Sequence, residues 1–367
     1  MTIALTISTL AAIATAVNAA DVTTPDNENL AHINNILNGA TEAEALLFIE
    51  DALAPSTPAS TMWKVYFKPD GMYIIDDAST ETLVAPLTTS LVGQVCDTRL
   101  TLTSATPVTT SDVTAATNIY VTPYGGKRIA LYDGSAWVLY SFSEITISLS
   151  GQTADKNYDV FVYDSAGTVV AESVVWTNDT TRATALAVQD GVYVKSGSTG
   201  RRYVGTYRTT TTIGQCEDSV TKRYVWNYYN RVHRDFLVLD TTDTWTYATA
   251  TIRPWNNSTT NRVSFVRGVN EDVVQLSFVG TAAQAGSVTA NIGIGLDSTT
   301  AFSTTLGGAG QLGTTTQGNF FAFYTGKPSE GFHYLQLLER ASGATVTFAG
   351  DGGGLLVQSG ATGLIAA

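Results

Sequence analysis

Charge is what this chain has least of. Of its 367 residues only 14% are Asp, Glu, Lys or Arg, against roughly 25% in an average soluble domain. A surface so poor in charge is covered by hydroxyls and amides, or is buried against other chains. The 20 basic residues gather nowhere into the stripe that follows a nucleic-acid backbone, which excludes nucleic acid as a partner. Histidine is scarcer still: His32, His233 and His333 stand alone, without the short spacing of a metal pair. Cys96 and Cys216 lie 120 residues apart with no CxxC partner, which excludes a disulfide framework and a zinc site. Each falls near an edge of the middle domain proposed below, so they either pair with each other or remain two buried thiols. No EF-hand loop, P-loop or GxSxG elbow is present. No apolar run reaches the roughly 18 residues of a membrane span, which excludes membrane insertion. The opening "MTIALTISTLAAIATAVNAADV" imitates a secretory signal but lacks a basic start, since the first Lys or Arg is Lys64. It reads as an apolar arm or helix packed against other subunits.

What fills the chain instead is Thr, Ser, Tyr and Val, residues that favour strands and turns. The convincing helical pattern is confined to residues 25–54. There Leu30, Ile33 and Leu37 fall at helical spacing, and "TEAE" from Thr41 to Glu44 matches a capping box ahead of Ala45, Leu46, Phe48, Ile49 and Leu53. "APSTPAS" at 54–60 is a linker. "MWKVYFKPDGMYIIDDASTETLVAPL" then predicts two strands around "KPDG" and a second turn at "DDAST", a unit too small to stand without a partner. From Arg99 onward strands alternate with turns at "PYGG", "YDGS", "DSAG", "QDG" and "SGSTG". "RRYVGTYRT" and "KRYVWNYYNRV" repeat Arg and Tyr two residues apart, which predicts that these share one sheet face. Past Val232 most charge disappears, and seven or eight further strands follow without a fixed repeat. The fold class expected is mainly β: an N-terminal region with short helices and a hairpin (1–97), a β-sandwich or barrel (98–235), and a jelly-roll-like sandwich (236–367). Charge divides along the same lines, with 2 basic against 12 acidic residues in the first part, 13 against 12 in the second and 5 against 8 in the third. The acidic first part is either a solvated face or a dock for a basic partner surface.

Candidates for chemistry are few. "GGAGQLG" at 307–313 contains GxGxxG, but turn and strand follow it rather than a helix, so it predicts no nucleotide site. "DGGGLL" from Asp351 reads as a tight turn. Asp240, Asp243, Glu271 and Asp272 are carboxylates of the kind glycosidases pair, yet any chain of this length supplies such pairs, and no catalytic residue or cofactor is expected. His333 in "GFHYLQLLER" reads as a packed strand residue. Trp245, Tyr247, Trp255, Asn256 and Asn257 cluster in sequence. Trp faces stack on sugar rings and Asn amides bond hydroxyls, so these five are the candidate glycan contacts. The competing reading is that Trp245 and Tyr247 share a strand face and form core.

One stretch carries a resemblance. "RLTLTSATPVTTSDVTAATNIYVTPYGGKRIALYDGSAWVLYSFSEITISLSGQTADKNYDVFVYDSAG", continuing through "TRATALAVQDGVYVKSGSTGRRYVGTYRTT" to "EDSVTKRYVWNYYNRV", resembles a β-rich module of virion structural proteins of tailed bacteriophages. It covers about residues 98–233. "WKVYFKPDGMYIIDDASTETLVAPL" looks like the connecting segments of phage fibre proteins. "GFHYLQLLERASGATVTFAGD" followed by "GLIAA" is similar to the C-terminal strands of trimeric fibre heads. The resemblance implies a non-enzymatic virion protein assembled in the host cytoplasm: a homotrimeric fibre, spike or tail-tip protein. Residues 1–97 would bind other virion proteins and the last domain would present a surface to a host glycan. The alternative within the same family is a decoration or cement protein of the capsid.

Overall fold

The computed structural model describes residues 64–68, 71–76, 78–86, 93–284, 288–307, 309–312, 316–354 and 357–367. The apolar arm, the helical pattern at 25–54 with His32, and the linker at 54–60 lie outside the described residues. The chain divides into two compact units, the second running from Thr89 to Ala367.

In the first unit the described strands Lys64–Lys68, Gly71–Ile75 and Glu81–Pro86 form an antiparallel meander. The two strands expected around "KPDG" pair in register, with Tyr66 opposite Tyr73 and their rings stacked at 5.8 Å. The predicted turn at "DDAST" is held by Asp76, whose side chain accepts the amides of Ala78 and Thr80, the usual local bond of an Asp turn.

The second unit is β throughout, as its composition dictates, and among the described residues it has two large apolar cores beside a small cluster of Ala130, Trp137, Val192 and Val194. One fills a sandwich. Its outer sheet runs, in spatial order, His233–Leu239, Gly360–Ala366, Val274–Gln284, Thr316–Gly326 and Leu306–Gly307. Facing it is a sheet containing Ala309–Leu312, Val288–Leu296, Gly331–Ala341 and Arg262–Arg267. Strand periodicity explains the filling: Val274, Leu276 and Phe278 point inward from one sheet to meet Val263, Phe265, Ile292 and Leu335 from the other. The other core lies among a three-stranded sheet (Thr98–Thr101, Asn118–Pro123, Ile145–Ser148), the hairpin Arg128–Tyr132/Trp137–Ser141 and the long strands Asn157–Ser165 and Ser198–Arg208. The fold class is thus the mainly β, sandwich-like one that the sequence predicts.

The domain boundary expected at 235/236 falls inside a strand, His233–Leu239. Strands from both sides of it share a sheet, because Lys222–Arg223 pairs in parallel with Arg262–Arg267. Residues 98–235 and 236–367 therefore belong to one body, and the loss of charge past Val232 marks a change of surface. The two-residue alternation expected of "RRYVGTYRT" also breaks. A bulge shifts the register between Tyr203 and Gly205, so Tyr203 packs into the sandwich core and Tyr207 into the other. Gly205 is required there, since a Cβ would lie 2.4 Å from the Trp226 carbonyl oxygen.

Candidate functional site

The strand Thr244–Tyr247 pairs with Val346–Ala349, setting Trp245 opposite Phe348. Two residues, Arg253 and Pro254, then pair with the buried strand Gly331–Ala341, and the chain turns sharply at Trp255–Asn257. Asn256 and Asn257 take left-handed backbone angles, φ 54° and 52°, a conformation Asn tolerates better than most residues. That turn drives Trp255 into the core. Its ring lies edge-on to Trp245 at 4.8 Å and to Phe278 at 5.0 Å, and Gly280 makes room for it, since a Cβ there would sit 2.9 Å from the indole.

The structure thus brings the five candidate glycan contacts together, burying Trp255 and engaging Trp245, Tyr247 and Asn256 in internal bonds. Trp255 is fully buried and offers no face to a sugar, while Trp245 and Tyr247, the pair to which the core reading applies, are partly buried and packed against the sandwich core. Trp245 is half-buried and donates its indole N–H to Glu339 Oε2 at 2.8 Å. Arg253 lies over the Tyr247 ring at 3.7 Å, and the Tyr247 hydroxyl donates to the Thr251 carbonyl. Asn256 donates to Thr242 Oγ1 at 2.8 Å and to Asp240 at 3.2 Å. Asn257 is the member of the five classed as exposed. Glu339, which joins this cluster from Gly331–Ala341, also accepts from Arg253 Nε at 2.7 Å. Burial pushes its carboxyl above the usual range against the opposing pull of Trp245 and Arg253. Chemically the assembly is a brace, a buried carboxylate shared by a cation and an indole.

The other sequence candidates are placed just as firmly. Asp240 is buried and accepts from Asn261 Nδ2 at 2.8 Å and from the Thr242 amide at 2.9 Å. Glu271 and Asp272 are both held by Arg231, at 2.8 and 2.5 Å. Asp243 is exposed. His333 is the packed strand residue expected, bonded to Asp297 Oδ2 at 2.7 Å and the Ser329 carbonyl at 2.9 Å. Cys96 and Cys216 are free, buried thiols in one core, not a disulfide. Ala309–Leu312 of the "GGAGQLG" stretch is an antiparallel strand against Val288–Asn291, and Gly352, Gly353 and Gly354 all take positive φ in a turn. Among the described residues no three His, Cys, Asp or Glu side chains gather as a metal site would require, and no helix is long and apolar enough to cross a membrane.

Two features escape sequence reading. Arg182, in the unremarkable "TTRAT", has a largely enclosed side chain, bonded through Nε to Asp159 Oδ2 at 2.7 Å and also to Glu330 and to the Gly268 carbonyl. Beside it lies an open groove of about 500 Å³ lined by Thr181, Tyr193, Asn270 and Glu330. The other feature is the outward face of the outer sandwich sheet, where Phe321, Phe323, Leu237, Leu239 and Leu306 are exposed. Its signal was in the sequence, as strands such as "NFFAFYTG" that are apolar at positions of both parities.

No family model matches the chain, and no curated protein does. Solved structures similar to it include two from Bacillus thuringiensis. One is the insecticidal delta-endotoxin Cry8Ea1, 10% identical over 92% of this chain and 63% of the toxin chain, with a TM-score of 0.20. The other is a tryptic core variant of Cry1Da, 7% identical over 77% of this chain and 54% of that one, with a TM-score of 0.17. The chain spans less than two thirds of either, and likeness at this level carries no argument.

Proposed function

We propose that the chain is a non-enzymatic structural component of a tailed-bacteriophage particle: a homotrimeric fibre, spike or tail-tip protein that presents its C-terminal strands for host-surface attachment. The observation that carries this reading is how the chain spends its chemistry-bearing side chains. Trp255, Glu339, His333, Asp240 and the Glu271/Asp272 pair are all committed to contacts that hold strands and loops of the body together. The segment resembling phage virion modules is tied into the C-terminal sandwich by Arg182, which links Asp159 to Glu330, and by Arg99, which donates to the carbonyls of Asn230 and Ala367. Braces that cross the whole body suit a protein whose work is to withstand load and hold its shape.

Host contact, in this reading, does not use the Trp255 ring. The test is a low-resolution reconstruction of the intact particle with this protein labelled at its C-terminus. Label on projecting fibres or at the tail tip is the expected result. Label lying flat over the capsid lattice would replace attachment with a decoration or cement role, and particles without label would overturn both.

A further inference from the structure

Along the main path of the seven-stranded outer sandwich sheet, four of five strands contain no Asp, Glu, Lys, Arg or His: Gly360–Ala366, Val274–Gln284, Thr316–Gly326 and Leu306–Gly307. The fifth, His233–Leu239, carries its charge near one end, at Arg234 and Asp235. The register sets out what faces outward. Leu237 stands opposite Thr362, Thr362 opposite Ser277, Ser277 opposite Phe323, and Phe323 opposite Leu306. One residue pair along, Leu239, Val279 and Phe321 belong to the next row. The apolar side chains therefore occupy two adjacent rows: Phe323 adjoins Leu306 in one and Phe321 adjoins Val279 in the other, while Leu237 and Leu239 lie beyond Thr362, Ser277 and Gly360.

Their exposure is large: Leu306 69%, Phe321 50%, Leu239 48%, Phe323 42% and Leu237 39%. At about 200 Å² for each fully exposed large side chain, these five present roughly 500 Å² of apolar surface. That is at the upper end of the largest patch on an ordinary monomer, about 300–600 Å². The intervening Thr, Ser and Val side chains extend it toward the roughly 800 Å² that each partner contributes to a standard stable interface. Composition agrees, since interface cores are rich in aromatics and depleted of charge.

We infer that this face is where copies of the chain meet, Phe321 and Phe323 packing against a second copy. The inference rests on the homomeric reading above and gives that reading a surface. A second copy is the occupant because the two rows are neutral: they offer no charge for a basic or acidic partner to complement, whereas a self-contact needs only apolar matching.

Sedimentation velocity of the full chain tests it, comparing the natural protein with Phe321→Glu/Phe323→Glu and, separately, with Leu306→Lys at the sheet edge. The natural protein is expected to sediment as an oligomer. The double variant should raise its dissociation constant by roughly 100-fold, as losing central aromatic anchors does, with the far-ultraviolet dichroism unchanged. If the double variant does not fold, Leu306→Lys decides, with a weakened oligomer expected. A natural protein that is oligomeric and variants that assemble equally well would overturn this surface while leaving the homomeric reading standing. A natural protein that is monomeric up to 100-micromolar concentrations (about the range of ordinary stable assemblies) would overturn both.

Discussion

Trp255 is surrounded on several sides by aromatic rings, with Phe348 at 5.3 Å in addition to Trp245 and Phe278. Trp255→Ala should therefore lower stability by about 3–5 kcal/mol, as large-to-small core changes do, read as a fall in thermal midpoint. An unchanged midpoint would mean that the ring is not core. Glu144 makes the opposite kind of prediction, one about pH. Burial raises its carboxyl, but bonds from the Ser104 and Thr122 hydroxyls and the Ala105 amide more than offset this and hold it below the usual range. A depressed carboxyl contributes stability above its unfolded pKa, about 4.3, and loses it as pH falls through the folded value. Glu144→Gln should cost about 1 kcal/mol at neutral pH, discounted for solvent access. The difference from the natural protein should vanish toward about pH 3. A gap constant with pH would rule out the carboxylate as its source. Burial likewise pushes the thiols of Cys96 and Cys216 up. Neither should react with iodoacetamide at pH 8 until the protein is unfolded; rapid labelling of the native chain would contradict their placement.

At the scale of the element, the strands were legible and their neighbours were not. "YDVFVYD" and "ESVVWT" read as strands and pair as the hairpin Asn157–Ser165/Thr168–Val175 around "DSAG", because turn residues and β-branched runs act locally. The bulge at Val204 left no such mark. It exists because Tyr203 and Tyr207 serve different cores, a long-range demand that periodicity cannot express. The same holds for Trp255: its sequence neighbours suggested a binding surface, and only the left-handed turn through Asn256 and Asn257 sends it inward. Gly268 shows how tight such junctions are. A Cβ there would lie 1.8 Å from the Tyr203 hydroxyl and 2.6 Å from the Trp226 ring. Gly268→Ala should cost at least about 1–3 kcal/mol, the range for overpacking a core, and should lower the denaturant midpoint without changing the slope. A neutral substitution would show that the junction yields.

For the whole molecule the question is whether the segment resembling phage modules is a module in the physical sense. Its own composition suggests so, yet its ties run outward. Lys222–Arg223 completes its pairing on Arg262–Arg267. Tyr203 and Trp226 are buried in the sandwich core. Arg182 reaches Glu330 and the Gly268 carbonyl, and the Phe332 amide donates to the Asp179 carbonyl at 2.8 Å. Gly331 presses so close that a Cβ would sit 2.3 Å from the Asp179 carbonyl oxygen. Cutting the chain at 235/236 would strip these partners from both sides at once. Among the costs is the exposure of Tyr203 and Trp226, aromatics that bury about 150–250 Å² each and so contribute, at about 25 cal/mol per Å², a large share of the roughly 5–15 kcal/mol that holds a domain together. A fragment of residues 98–235 is therefore expected to be unfolded or aggregated, with a collapsed amide-proton NMR spectrum, while residues 89–367 give a dispersed one. A dispersed spectrum from 98–235 alone would show that the segment folds independently and that its ties to the sandwich are secondary. A segment that folds only against its neighbour could serve in another chain only if that chain supplied an equivalent of Arg262–Arg267.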